Sequence, residues 1–147
     1  MNEKLILLVE DNPDDEELTR LALRQCSISN KVVVVRDGVE AIEYLSGSDK
    51  FTRVEGYLLP HLILLDLKLP KMGGLEVLQK LRSNPKTQLI PVVVLTSSSE
   101  IEDILTSYRL GANSYIRKPV EFREFAEAVN QMGSYWLVLN QGPPINS

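Results

Sequence analysis

Residues 62–74 read LILLDLKLPKMGG, and the fold follows from how this stretch is built. Leu62 to Leu65 are apolar without polar alternation, the pattern of a strand buried on both faces of a parallel sheet. Asp66 stops the run, and Leu75, Leu78 and Leu81 then lie on one helical face between Gly74 and Leu81. Buried strand, acidic tip and amphipathic helix make one repeatable unit.

The unit recurs on both sides. Leu5 to Val9 is an apolar run ending in Glu10 and Asp11. Pro13 suits a first helical position, and Asp14, Asp15 and Glu16 suit the positive end of a helix dipole, ahead of Leu18, Leu21 and Leu23. Val32 to Val35 precedes a helix over Gly38 to Leu45. Pro91 to Leu95 precedes one that carries Ile101, Ile104, Leu105, Tyr108 and Leu110, and Ser114 to Arg117 precedes another from Phe122 onward. Five alternations of β and α predict an α/β fold, a five-stranded parallel sheet with helices on both faces in three layers. Residues 47–60 form the one long irregular connection, and the tail from Asn140 is expected to fray.

Composition narrows the function. With 147 residues there is room for one domain, and a separate effector domain is not expected. A hydrophobic fraction of 44% supports a sizeable core. Sixteen Lys and Arg against twenty Asp and Glu give a net charge of −4, which argues against non-specific nucleic-acid binding. Cys26, the single cysteine, excludes an internal disulfide and argues against a zinc cluster. The first apolar run is too short for a signal-peptide core or a membrane span, so the chain is expected to be cytoplasmic and to have no membrane partner.

In an open parallel sheet, ligands bind beyond the carboxyl ends of the strands. Those ends carry Glu10 and Asp11, Asp66, Thr96 and Lys118. Carboxylates about 4 Å apart repel by roughly 4 kcal/mol per pair at an effective dielectric near 20. A hard divalent cation offsets that, and Mg²⁺ characteristically combines one or two carboxylates with water and a phosphate. With Lys118 as a second positive charge, a strand-end carboxylate becomes a plausible nucleophile towards phosphorus, forming an aspartyl phosphate. The bland alternative is an ion-pair cluster in a nucleotide-binding protein, but a glycine-rich loop is expected there after the first strand, and Asn12-Pro13-Asp14 occupies it. Asp15 to Glu17 read as a solvated helix start, His61 as a surface loop residue at the far end of the sheet, and Cys26 as a packed thiol.

Taken together, LLVEDNPDD, LILLDLKLPKMGG, VVVLTS and SYIRKP resemble the receiver domain of two-component response regulators, over roughly residues 3–132. Pro70 and Gly74 stand four and eight residues after Asp66, and Thr96 and Lys118 follow at intervals of thirty and twenty-two, as in that family. The resemblance implies a flavodoxin-like, doubly wound (βα)5 fold and a single receiver domain over residues 1–147, with a helical extension over 133–147. It implies that Asp66 is phosphorylated by a histidine kinase, that Glu10, Asp11, Asp66 and the Leu67 carbonyl hold Mg²⁺, and that Thr96 and Lys118 grip the phosphoryl group. Thr96 and Tyr115 would form the switch, with Tyr115 turning inward on activation, and the Lys118–Pro119 bond would be cis. No activity on a separate substrate is implied, only self-phosphorylation and self-dephosphorylation, and an unknown downstream protein receives the signal. Glu10 departs from the commoner Asp, which suggests a water-mediated metal contact, while Lys68 and Ser97 replace smaller or polar residues beside the acceptor.

The connection over 47–60 and the YWLVLNQ segment also resemble the stand-alone regulators that serve cyanobacterial phytochrome kinases. Phe122, Phe125, Val129, Met132, Trp136 and Leu139 continue one helical stripe past the usual end of a receiver. Phe125 and Val129 can cover the sheet, whereas Trp136 and Leu139 lie past the expected domain surface. The stripe predicts a homodimer in preference to intramolecular packing, with Phe122, Phe125, Val129, Trp136 and Leu139 at the interface. A phosphatase of the haloacid dehalogenase type is the alternative; its second Asp, two residues after the nucleophile, is Lys68 here.

Overall fold

Five parallel strands, β1 (Lys4–Val9), β2 (Asn30–Val35), β3 (Leu62–Leu65), β4 (Val92–Thr96) and β5 (Ser114–Arg117), form one sheet in the order β2-β1-β3-β4-β5. The helices between and after them are α1 (Pro13–Arg24), α2 (Gly38–Ser46), α3 (Gly74–Ser83), α4 (Ile101–Arg109) and α5 (Phe122–Ser134). The computed structural model describes residues 4–26, 29–48, 58–118 and 121–144. Most of the irregular connection, Pro119 of the expected cis bond and the end of the tail lie outside these residues. The flavodoxin-like (βα)5 architecture is the one expected. β2 begins two residues before its apolar run because Asn30 and Lys31 pair with Lys4 and Leu5, a register that polar side chains do not advertise.

Alternate residues of each strand point to opposite faces, and the core divides accordingly. Leu7, Val9, Ile63, Leu65, Val92 and Val94 meet Tyr44 and Leu45 of α2 and Val77, Leu78 and Leu81 of α3. Ile6, Leu8, Leu62, Leu64, Val93 and Leu95 meet Leu23 of α1 and Phe125, Val129 and Met132 of α5. Each fully buried Leu, Ile or Val contributes about 1.5–3 kcal/mol, so the continuous apolar runs are what hold three layers together. No helix among the described residues is long and apolar enough to cross a membrane.

Two expectations about side chains change. His61 is half-buried, and its Nδ1 accepts the Leu5 N–H at 3.0 Å while its main-chain N–H donates to the Leu5 carbonyl at 2.8 Å. It thus extends the β1–β3 ladder as a neutral acceptor, and burial together with nearby Lys4 pushes its pKa down.

The second change is at the C-terminus. Beyond α5 the chain forms a π-helical turn, Tyr135–Leu139, closed by Asn140 N–H on the Tyr135 carbonyl at 2.7 Å. One extra residue per turn shifts the stripe, so Leu137 instead of Trp136 follows Met132 into the core. Trp136 packs partly against that core, edge-on to Tyr135, while Leu139 is 74% exposed. Phe125 and Val129 of α5 are buried against the sheet within one chain. Their side chains cover the sheet, so they are not available to a second copy, which corrects the predicted interface at those two positions.

Candidate metal and phosphoryl site

β1 is flanked by β2 and β3, whose connections leave in opposite directions, and a crevice opens beyond the C-terminal ends of β1 and β3. Main-chain bonds carry each strand's next residue into this crevice. Glu10 N–H donates to Val35 at 3.0 Å, Asp66 N–H to Val9 at 3.1 Å and Lys118 N–H to Thr96 at 2.7 Å. The polar groups are therefore set by the ladder and not by their own flexibility. Gly74 lets α3 start against this floor: a Cβ there would stand 2.2 Å from the Asp66 carbonyl oxygen.

Glu10, Asp11 and Asp66 each present a carboxylate oxygen within 4.8 Å of the others. Glu10 and Asp66 are buried and Asp11 is exposed, so the cluster opens on one side. Such an all-oxygen set fits a hard divalent cation with water completing its shell. The Leu67 carbonyl, expected as a further ligand, accepts the Gly74 N–H at 2.8 Å and is engaged in closing the loop.

Lys118 Nζ reaches three carboxylates: Glu10, Asp66 at 3.3 Å and Asp15 at 3.0 Å. Burial pushes the Glu10 carboxyl up to about 7, with the neighbouring Asp66 charge adding to it and Lys118 partly offsetting it. Burial opposes charge on Lys118, yet the Glu10 hydrogen bond and the surrounding carboxylates outweigh it and raise its pKa. Lys118 is thus firmly cationic, and Glu10 exchanges its proton near neutrality.

Asp15 is the residue that the helix-start reading missed. Asn12 caps α1 by accepting from Asp14 N–H at 2.9 Å and Asp15 N–H at 3.1 Å, which fixes the first turn beside the crevice. Asp15 lies four residues after Asp11, but nothing local distinguishes it from Asp14, Glu16 or Glu17.

Thr96 is fully buried, and its Oγ1 accepts the Ser98 N–H at 3.4 Å. Tyr115 is already half-buried and donates its hydroxyl to the Ser98 carbonyl at 2.9 Å. Ser98 Oγ in turn donates to Asp103 of α4 at 2.6 Å. Ser98 therefore stands between Thr96, Tyr115 and α4, a role its sequence position did not signal.

A buried acidic cluster facing an ammonium at the C-terminal ends of a (βα)5 sheet is the arrangement of a receiver. The profile of the response regulator receiver domain matches residues 6–130, and the chain belongs to this family. Within it, the response regulator Rcp1 of Synechocystis sp. is 39% identical over 134 residues, covering 91% of this chain and 89% of Rcp1. The crystal structure of the phosphorylated cyanobacterial phytochrome response regulator RcpA superposes with a TM-score of 0.90 at 40% identity, covering 97% of this chain and 99% of that one. The Mn²⁺-bound form of Rcp1 gives a TM-score of 0.87 at 38% identity, covering 95% and 99% of the two chains. The bacteriophytochrome response regulator RtBRR is 52% identical, with a TM-score of 0.74, covering 98% and 86%. The chain is a response regulator similar to those of phytochromes, and its Glu10, Asp11 and Asp66 form a group that could hold a divalent ion; the phosphatase alternative is not favoured.

Proposed function

We propose that Asp66 takes a phosphoryl group from the phosphohistidine of a sensor kinase, and that the kinase is a phytochrome. The convergence of three carboxylates on Lys118 carries this reading. An Asp66 oxygen bonds to phosphorus as the phosphorus–nitrogen bond breaks, and the imidazole leaves with that electron pair. Glu10, Asp11 and Asp66 would hold a divalent ion, which when bound would supply positive charge to offset that on the transferring phosphoryl oxygens. The Lys118 ammonium stabilises the same charge, and Thr96 donates its hydroxyl to the phosphoryl group. Tyr115 and Ser98, linked to α4 through Asp103, relay the change as a shift between two populations. Relatives named for phytochromes support the choice of kinase.

The downstream partner reads α4, whose Ile101, Leu105 and Tyr108 are exposed. The net charge of −4 supports a protein rather than a nucleic-acid partner, acting in the cytoplasm. Turnover tests the reading: with acetyl phosphate and Mg²⁺ the protein gains a single phosphate, and with a small phosphate ester it releases no more than about one equivalent per chain. Sustained hydrolysis of the ester would return the phosphatase reading.

The chain also forms a homodimer in this reading, through Trp136, Val138 and Leu139 with Phe122 beside them. Exposed Val138 and Leu139 at the end of a well-packed helix support it. Burying such side chains contributes about 1.5–3 kcal/mol each and is doubled by two-fold symmetry, against an association cost of roughly 4–15 kcal/mol. Because Leu137 belongs to the core, substitution is a cleaner probe than truncation. Val138→Asp with Leu139→Asp is expected to sediment as a monomer and still accept phosphate. A parent chain that is itself monomeric in sedimentation equilibrium, with and without phosphate, would remove the dimer.

A further inference from the structure

An ammonium has three N–H donors, and around Lys118 three carboxylates take them: Glu10 Oε1, Asp15 Oδ2 and Asp66 Oδ2. Two of these belong to the group whose oxygens suit a cation. Asp15 does not, since that group among the described residues is Glu10, Asp11 and Asp66. Its carboxylate sits on the first turn of α1 with 36% of its side chain exposed, against 1% for Glu10 and 11% for Asp66. Thus one ligand of Lys118 lies outside the metal cluster and within reach of solvent.

We infer that Asp15 is a positioning residue, which holds Lys118 in the resting state and competes with the incoming phosphoryl group for it. The inference rests on the reading of Asp66 as phosphoacceptor. Once phosphate is attached to Asp66, its oxygens need a Lys118 donor, and one existing bond has to be given up. The Glu10 bond is buried, and Asp66 is the attachment point. The Asp15 bond is the most hydrated of the three, so water compensates its loss best. Asp15 also keeps a negative charge 3.0 Å from Lys118 Nζ, where it repels an anionic phosphoryl group approaching the same ammonium. Both effects act in one direction: Asp15 sets the phosphorylated state against the resting one.

Beryllofluoride, which mimics an acyl phosphate on a carboxylate, tests this in the full chain at saturating Mg²⁺ by titration calorimetry. Asp15→Asn and Asp15→Ala are expected to bind it about five- to tenfold more tightly than the parent, and Asp15→Glu, which keeps the charge, to stay within about twofold. A merely structural role cannot produce that gain, because losing an acid from the first turn of α1 weakens the helix start. Unchanged or weaker binding by Asp15→Asn overturns the inference, as does equal tightening by Asp15→Glu. Asp66→Asn is the control. If it loses beryllofluoride while Asp15→Asn binds like the parent, only the Asp15 inference fails; if it retains beryllofluoride, the phosphoacceptor reading fails and takes the inference with it.

Discussion

Incubated with acetyl phosphate and Mg²⁺, the Asp66→Asn protein is expected to keep its mass while the parent chain gains one phosphate. The substitution leaves the side chain's size and the main-chain bond from Asp66 N–H to Val9 intact, so the sheet is not disturbed. What disappears is the nucleophile: an amide oxygen does not form a stable ester with phosphorus under these conditions. Glu10 is buried against Lys118, and Asp11 is exposed at the open side of the cluster, so neither is placed to substitute. Intact-mass spectrometry reads the outcome directly. If Asp66→Asn still took up phosphate and Asp11→Asn did not, the nucleophile and a metal ligand would have to be exchanged.

Lys118→Ala should slow phosphorylation from acetyl phosphate by about 10²- to 10³-fold, the cost of losing one charged donor to a developing phosphoryl anion. The physical reason is double. The ammonium that meets the phosphoryl oxygens is gone, and so is the cation that partly offsets the burial of Glu10. Without it the Glu10 carboxyl, already pushed up to about 7, rises further and stays protonated at neutral pH. A protonated Glu10 is a poorer metal ligand, so Mg²⁺ affinity falls together with rate and both recover in part as pH rises. A time course of intact mass at several Mg²⁺ concentrations separates the two effects. A rate within about tenfold of the parent would show that Lys118 is not part of the phosphoryl grip.

Much of the architecture was legible from short-range pattern. Leu5 to Val9 and Leu62 to Leu65 are apolar on both faces because helices cover both faces, and the recurrence of Leu75, Leu78 and Leu81 marks the helix face that does so. A parallel sheet fed by helices ends all its strands at one side, so Glu10, Asp11, Asp66, Thr96 and Lys118 were recognisable as neighbours without coordinates. These inferences need only the periods of strands and helices, which are local properties of the chain.

Tertiary structure decided the rest. The contact of Asp15 with Lys118 spans 103 positions and depends on the first turn of α1, capped by Asn12, lying beside the residue that follows β5. His61 is a ladder acceptor only because β3 lies beside β1, and Ser98 becomes a link only because Tyr115 folds over it. The C-terminal stripe changes register for a definite reason: its spacing assumes 3.6 residues per turn, and the π-helical turn at Tyr135–Leu139 adds a residue where packing favours Leu137 in the core. Local periodicity determines which elements form and which ends carry polar groups. Distances between groups far apart in the chain, and the register of a helix once it meets its neighbours, are set by packing of the whole molecule.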